Sequence, residues 1–141
     1  PVIVTEGLEA KRDAFAAADL ALAASGTVTY ELAMAGLPMV IAYRMMAASA
    51  AIIRMMVRVR YASVVNIVLG HPVAPECLQE NCTPGILFHE VSRLLADPAA
   101  RAAQKAELND VAVALGRGGP PVSEAAVDAL LQVYVKRVGP L

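Results

Sequence analysis

Leu20-Ala21-Leu22-Ala23, then Ser25-Gly26-Thr27-Val28-Thr29-Tyr30-Glu31-Leu32-Ala33-Met34-Ala35-Gly36, then Met39-Val40-Ile41-Ala42-Tyr43 is the stretch that decides the fold. The first run is short and apolar and reads as a buried strand. The small polar turn after it feeds a helix over 27–35 that Gly36 stops, and Pro38 starts a second strand. A helix opening directly off a strand leaves backbone N–H groups unpaired, and its dipole favours an anion there. Glu31 stands about one turn inside that helix, where a carboxylate reaches a sugar hydroxyl. The unit therefore reads as half of a nucleotide-sugar site.

The same alternation extends outward. Val2-Ile3-Val4 reads as a short buried strand, and a chain opening on a strand suggests that a longer protein continues before it. Residues 8–18 read as a helix with Leu8, Phe15 and Ala18 as its apolar positions. Strands and helices alternating at this pitch predict an α/β fold, a Rossmann-like parallel sheet with flanking helices. Residues 45–59, rich in Ala, Met and Ile, read as one helix, followed by an extended 61–65 and a loop over 66–75. Thr83-Pro84 opens a helix to about Ala96, and Asp97-Pro98 caps another to about Leu115. Gly116-Arg117-Gly118-Gly119-Pro120-Pro121 reads as a linker, and 123–138 as a last helix. The expected organisation is a domain over 1–115, the linker 116–121, and a C-terminal helical part over 122–141.

Composition limits the functions available. Hydrophobic residues make up 57% of the 141, enough for a sizeable core. A formal net charge of −1 gives no global attraction to nucleic acid or anionic membrane, and with 4% aromatics and no Trp there is no base-stacking surface. Nucleic-acid binding is not expected, and any anion site must be local. The first residues lack a basic leader, and Pro38, Arg44 and Arg54 interrupt the apolar windows before a membrane-spanning length of roughly 18 to 20 residues is reached. Cys77 and Cys82 form a C-x4-C pair with only two His in the chain, so no metal site is expected and the thiols read as reduced and cytoplasmic. Neither His71 nor His89 has a Ser or Cys nucleophile at a recognisable spacing, which argues against a hydrolytic triad.

The candidate binding residues each carry a plain alternative. Ser25, Gly26 and Thr27 present N–H groups to an anion, or Thr27 is an ordinary N-cap. Glu31 is one residue late for a capping box and falls beside the inward stripe of Val28, Leu32 and Ala35, so it either meets ribose hydroxyls or extends to solvent. Asn66 either caps its own turn or offers its amide to a phosphate or sugar. Gln79, with Glu80 and Asn81, either lines a ligand or is solvated. Arg44, Arg54, Arg58 and Arg60 flank the Met-rich helix, either snorkelling from packed core or lying at a membrane surface.

Taken together, Ala24-Ser25-Gly26-Thr27 with Glu31, Gly36-Leu37-Pro38 through Tyr43-Arg44-Met45, Tyr61-Ala62-Ser63 with Asn66, and Pro75-Glu76-Cys77-Leu78-Gln79-Glu80 resemble the C-terminal half of the lipid-A-disaccharide synthase family. Ser-Gly-Thr with a following Glu is shared more widely by nucleotide-sugar transferases built from two Rossmann domains, the GT-B type. The resemblance implies an inverting glycosyltransferase that joins UDP-2,3-diacylglucosamine to 2,3-diacylglucosamine 1-phosphate, without a metal or other cofactor. It places Glu31 on the ribose, Ser25, Gly26 and Thr27 along the diphosphate, and Asn66 and Gln79 around the rest of the UDP. Arg44 matches a motif position without an implied contact. Here Val64-Val65 precede Asn66 where the family commonly has Leu-Pro.

The family's acceptor site and catalytic base lie in its N-terminal domain, so no catalytic residue is assigned here and negligible turnover is expected of this chain alone. The acylated sugar-phosphate acceptor would be met through that missing domain. The cytoplasmic face of the inner membrane is the implied place of action, with peripheral membrane contact and homo-oligomerisation both permitted. The competing readings are a related UDP-sugar transferase or epimerase half and a non-catalytic α/β packing module.

Overall fold

The computed structural model describes residues 2–46, 60–120 and 122–138. Within them three parallel strands, β1 (Ala21–Ala24), β2 (Met39–Tyr43) and β3 (Glu76–Leu78), form a sheet in the order β1-β2-β3. Six α-helices accompany it: α1 (Leu8–Ala17), α2 (Thr27–Ala35), α3 (Val64–Leu69), α4 (Pro84–Ala96), α5 (Pro98–Ala114) and α6 (Val122–Val138). The α/β, Rossmann-like architecture expected from the alternation is the one observed.

Side chains of β2 alternate between two cores, as a parallel sheet covered on both faces requires. Met39 and Ile41 pack with Leu32 and Ala33 of α2, Val65 of α3, and Leu108 and Val111 of α5. Val40 turns the other way, toward Cys77 and Leu94 of α4. The inner face of α2 is Thr29, Leu32 and Ala33, whereas Ala35, expected on the inward stripe, is exposed. The difference is a small rotation: α2 faces both the sheet and α5, and the volume between them is filled by the small Ala33.

Local chemistry explains the boundaries. Gly36 ends α2 at φ 65°, with Gly36 N–H donating to Ala33 O and Leu37 N–H to Leu32 O, so the last carbonyls find partners. Arg117 closes the same helix end by donating to Ala33 O and Met34 O. Thr83 and Asp97 cap α4 and α5 as their sequences predict; Asp97 Oδ1 accepts from Ala99 N at 2.9 Å and Ala100 N at 3.0 Å. Asp97→Ala is expected to lower stability by about 1 kcal/mol in urea unfolding; an unchanged midpoint would show α5 indifferent to its cap.

Three sequence expectations fail. Val2, Ile3 and Val4 form no strand and are 93, 83 and 82% exposed, because no neighbouring strand pairs with them among the described residues. The expected extended run at 61–65 and loop at 66–75 instead contain α3, begun by Ser63, whose Oγ accepts from Asn66 N, and ended at Gly70 with φ 72°. Nothing in the sequence predicts β3. The expected helix over 45–59 lies outside the described residues apart from Met45 and Met46, which have no regular structure.

Candidate functional site

All three strands run the same way, and the register pairs Ala24 with Ala42 and Tyr43 with Leu78. The residues just beyond their carboxyl ends are therefore neighbours: Ser25-Gly26-Thr27 after β1, Arg44-Met45 after β2, Gln79 after β3. In open parallel sheets this edge is where ligands bind. Met45 N donates to Gln79 Oε1 at 3.4 Å, and Ser25 Oγ donates to Ala62 O at 3.5 Å, so the turn before α3 closes a third side.

Gly26, not Thr27, is the N-cap of α2, and no side chain caps the helix. Thr29, fully buried, turns its hydroxyl back to donate to Gly26 O at 2.7 Å, and its N–H donates to the same oxygen at 3.1 Å. Gly26 holds φ 143° and ψ −159°, a conformation that only glycine adopts readily. A Cβ built there would meet nothing within 4 Å, so glycine is required by the backbone and not by packing. Gly26→Ala is expected to destabilise by about 1 to 3 kcal/mol in urea unfolding; a variant as stable as the parent would refute the strain.

Glu31 projects from α2 toward α1, where Lys11 Nζ donates to both carboxylate oxygens at 3.0 and 2.9 Å. Both side chains are 39% exposed. They form part of the wall of a groove of about 580 Å³ between α1 and α2, with Leu8, Phe15, Tyr30 and Met34 supplying much of its apolar surface. The carboxylate is therefore reachable from solvent, held among the described residues by Lys11.

Asn66 is in a different situation. It is 1% exposed; Nδ2 donates to Ala74 O and Glu76 Oε1, both at 2.9 Å, and Oδ1 accepts from Ala74 N at 2.9 Å. Both of its amide hydrogens are used in holding α3 against Ala74 and Glu76. Gln79 opens a short 3-10 turn over Gln79–Asn81 at φ 50°, a left-handed backbone that is rare outside glycine. Glu76, to which the sequence motif implies no role, accepts from Asn66 Nδ2. Its one sequence signal is a charge between Pro75 and the apolar Cys77-Leu78.

The nearby thiol is not a nucleophile in waiting. Burial, then the charge of Glu90 and the neighbouring Cys82, push the Cys77 pKa up, so it stays protonated. Both cysteines are free. Burial tends to raise the Glu90 pKa, but hydrogen bonds from Arg93 and His89 outweigh it and leave that carboxyl lowered. Among the described residues no group of three or more His, Cys, Asp or Glu is placed to hold a metal ion, and no helix is long and apolar enough to cross a membrane.

Comparison with known proteins follows the same lines. The Lipid-A-disaccharide synthetase family profile matches residues 2–127. The chain is 50% identical over 138 residues to the lipid-A-disaccharide synthase of Rhodospirillum centenum, covering 98% of this chain and 34% of that protein. It is 44% identical over 133 residues to the enzyme so named in Gluconobacter oxydans, covering 94% and 31%, and 48% identical over 121 residues to that of Ruegeria pomeroyi, covering 86% and 29%. The chain thus spans about a third of the length of these relatives. It belongs to the lipid-A-disaccharide synthetase family.

Proposed function

We propose that this chain is the donor-nucleotide half of an inverting glycosyltransferase of lipid A biosynthesis, binding the UDP of UDP-2,3-diacylglucosamine. The observation that carries the reading is the convergence of three strand ends on the uncapped N-terminus of α2, with open space before Gly26. Backbone N–H groups of Ser25, Gly26 and Thr27 face the diphosphate and, with the helix dipole, stabilise the charge that grows on it as the sugar departs. Glu31 accepts from the ribose hydroxyls, exchanging Lys11 for them. Gln79 closes the far wall, and Asn66 contributes by fixing the turn that lines it.

Inverting transfer also needs a general base beside the acceptor hydroxyl. That base and the site for 2,3-diacylglucosamine 1-phosphate belong to the part of the relatives outside the match, so the chain alone binds donor without turnover. Residues 1–115 form the binding unit, 116–121 connect it, and 122–141 are the C-terminal helical part. The whole enzyme works at the cytoplasmic face of the inner membrane.

Calorimetric titration of UDP into the purified chain tests this. Heat of binding that persists in EDTA and is not matched by ADP is the expected result. A folded chain that takes up no UDP would favour the packing-module reading, and measurable sugar transfer by the chain alone would refute the division of labour.

A further inference from the structure

Four donors converge on one carboxylate at the first residue of β3. Glu76 Oε1 accepts from Ser63 N at 2.9 Å, Ser63 Oγ at 2.6 Å and Asn66 Nδ2 at 2.9 Å, while Oε2 accepts from Ala62 N at 2.9 Å. Such bonds to a charged acceptor are short and about twice as strong as neutral ones. All four come from the turn at 62–66, which lies 10 to 14 residues earlier in the chain.

The same turn touches the anion-binding loop. Ala62, whose N–H is held by Oε2, offers its carbonyl to Ser25 Oγ. Glu76 itself sits in the ladder opposite Ile41 and three residues before Gln79. One side chain thus fixes the 62–66 turn relative to β3, and Ala62 O of that turn lies in long contact, 3.5 Å, with Ser25 Oγ.

We propose that Glu76 is the positioning residue of the donor site: it never touches the nucleotide but sets the loop that meets the diphosphate. The inference rests on the donor-binding reading above. A carboxylate is required because all four partners are donors. An amide in its place offers one acceptor oxygen and turns an NH2 group toward N–H groups already pointing at it. Saturation by four donors also spreads the charge over the turn, which limits its repulsion of a bound diphosphate.

The test compares UDP and uridine affinity, thermal midpoint and amide hydrogen exchange in the parent chain, Glu76→Gln, Ser63→Ala and, as a control carboxylate on α4 that makes no bond to the 62–66 turn, Glu90→Gln. Glu76→Gln is expected to bind UDP about tenfold more weakly, equivalent to about 1.4 kcal/mol, with uridine affinity nearly unchanged because uridine lacks the phosphates. Exchange should quicken at Ala62 and Ser63, and bound UDP should protect Ser25 and Gly26 less than it does in the parent chain. Ser63→Ala, which removes one donor of the four, should show the same pattern more weakly, and Glu90→Gln none of it.

The proposal is overturned if Glu76→Gln folds and keeps its UDP affinity, if UDP and uridine weaken together, or if exchange quickens at 62–63 while bound UDP protects 25–26 as fully as in the parent. Should Glu76→Gln fail to fold, Ser63→Ala decides by the same criteria. Should the parent bind no UDP, the donor reading fails by itself and the role of Glu76, which rests on it, falls with it; a parent that binds UDP leaves Glu76→Gln to decide.

Discussion

Gln104→Leu is expected to cost about 3 to 5 kcal/mol, a large part of the roughly 5 to 15 kcal/mol that holds a domain of this kind together. Gln104 sits on α5, 6% exposed, and its amide acts as a backbone substitute. Oε1 accepts from Met39 N at 2.9 Å, and Nε2 donates to Met39 O at 3.1 Å and Val73 O at 3.0 Å. Leucine has similar bulk, so the packing of Leu108 and Val111 on α5 should survive while three main-chain groups lose their partner. Met39 is fully buried, so water cannot replace the amide there. Each buried backbone group left unpaired costs about 1 to 3 kcal/mol, and the gain from added apolar surface offsets only part of it. Urea unfolding followed by circular dichroism measures the difference. A loss below about 1 kcal/mol, the net worth of one ordinary hydrogen bond, would mean that the three groups find other partners.

Gln104→Glu separates polarity from geometry at the same position. The introduced carboxylate keeps the acceptor for Met39 N–H but faces two carbonyl oxygens, so its pKa in the folded chain should rise above the usual value of about 4.3. A raised folded pKa means that the native state binds more protons between the two values. Stability of this variant should therefore fall as pH rises through that window and recover toward its acid end. A pH-independent gap to the parent would refute the placement of the two carbonyls.

What the sequence disclosed and what it withheld divide along the distance over which the causes act. β1, α2 and β2 were readable because their signals are local: apolar runs bounded by Ser25-Gly26 and by Gly36-Leu37-Pro38. The caps Thr83 and Asp97 were readable for the same reason. β3 has only three residues, one of them charged, and only Cys77 is buried; it is a strand because it pairs with Ile41 to Tyr43. α3 begins Val64-Val65, which favours extended backbone. Ser63, Gly70 and the donors gathered on Glu76 make it helical instead.

In the site, the turn at Ser25 to Thr27 follows from small residues between a strand and a helix. The burial of Asn66 and the left-handed backbone of Gln79 do not, since both depend on elements brought together only by folding. The tripeptide Val2-Ile3-Val4 shows the converse: with no pairing strand among the described residues, strand propensity makes no strand.

Glu31→Gln should weaken UDP binding by about 10- to 100-fold, or roughly 1.4 to 2.7 kcal/mol, while leaving the unfolding midpoint nearly unchanged. The two halves of that expectation come from the same geometry. The ion pair with Lys11 is more than a third exposed on both sides, and such pairs contribute about 0 to 1 kcal/mol to stability. Losing it therefore costs the fold little. Two ribose hydroxyls donating to one carboxylate form charge-assisted bonds, and an amide accepts only one of them well. Lys11→Met distinguishes the carboxylate as a ligand from the pair as a strut between α1 and α2. If Glu31 binds the ribose, removing its cation frees it, and UDP affinity holds or rises. If the pair only braces the groove, Lys11→Met and Glu31→Gln weaken binding equally, and the assignment of Glu31 to the ribose falls.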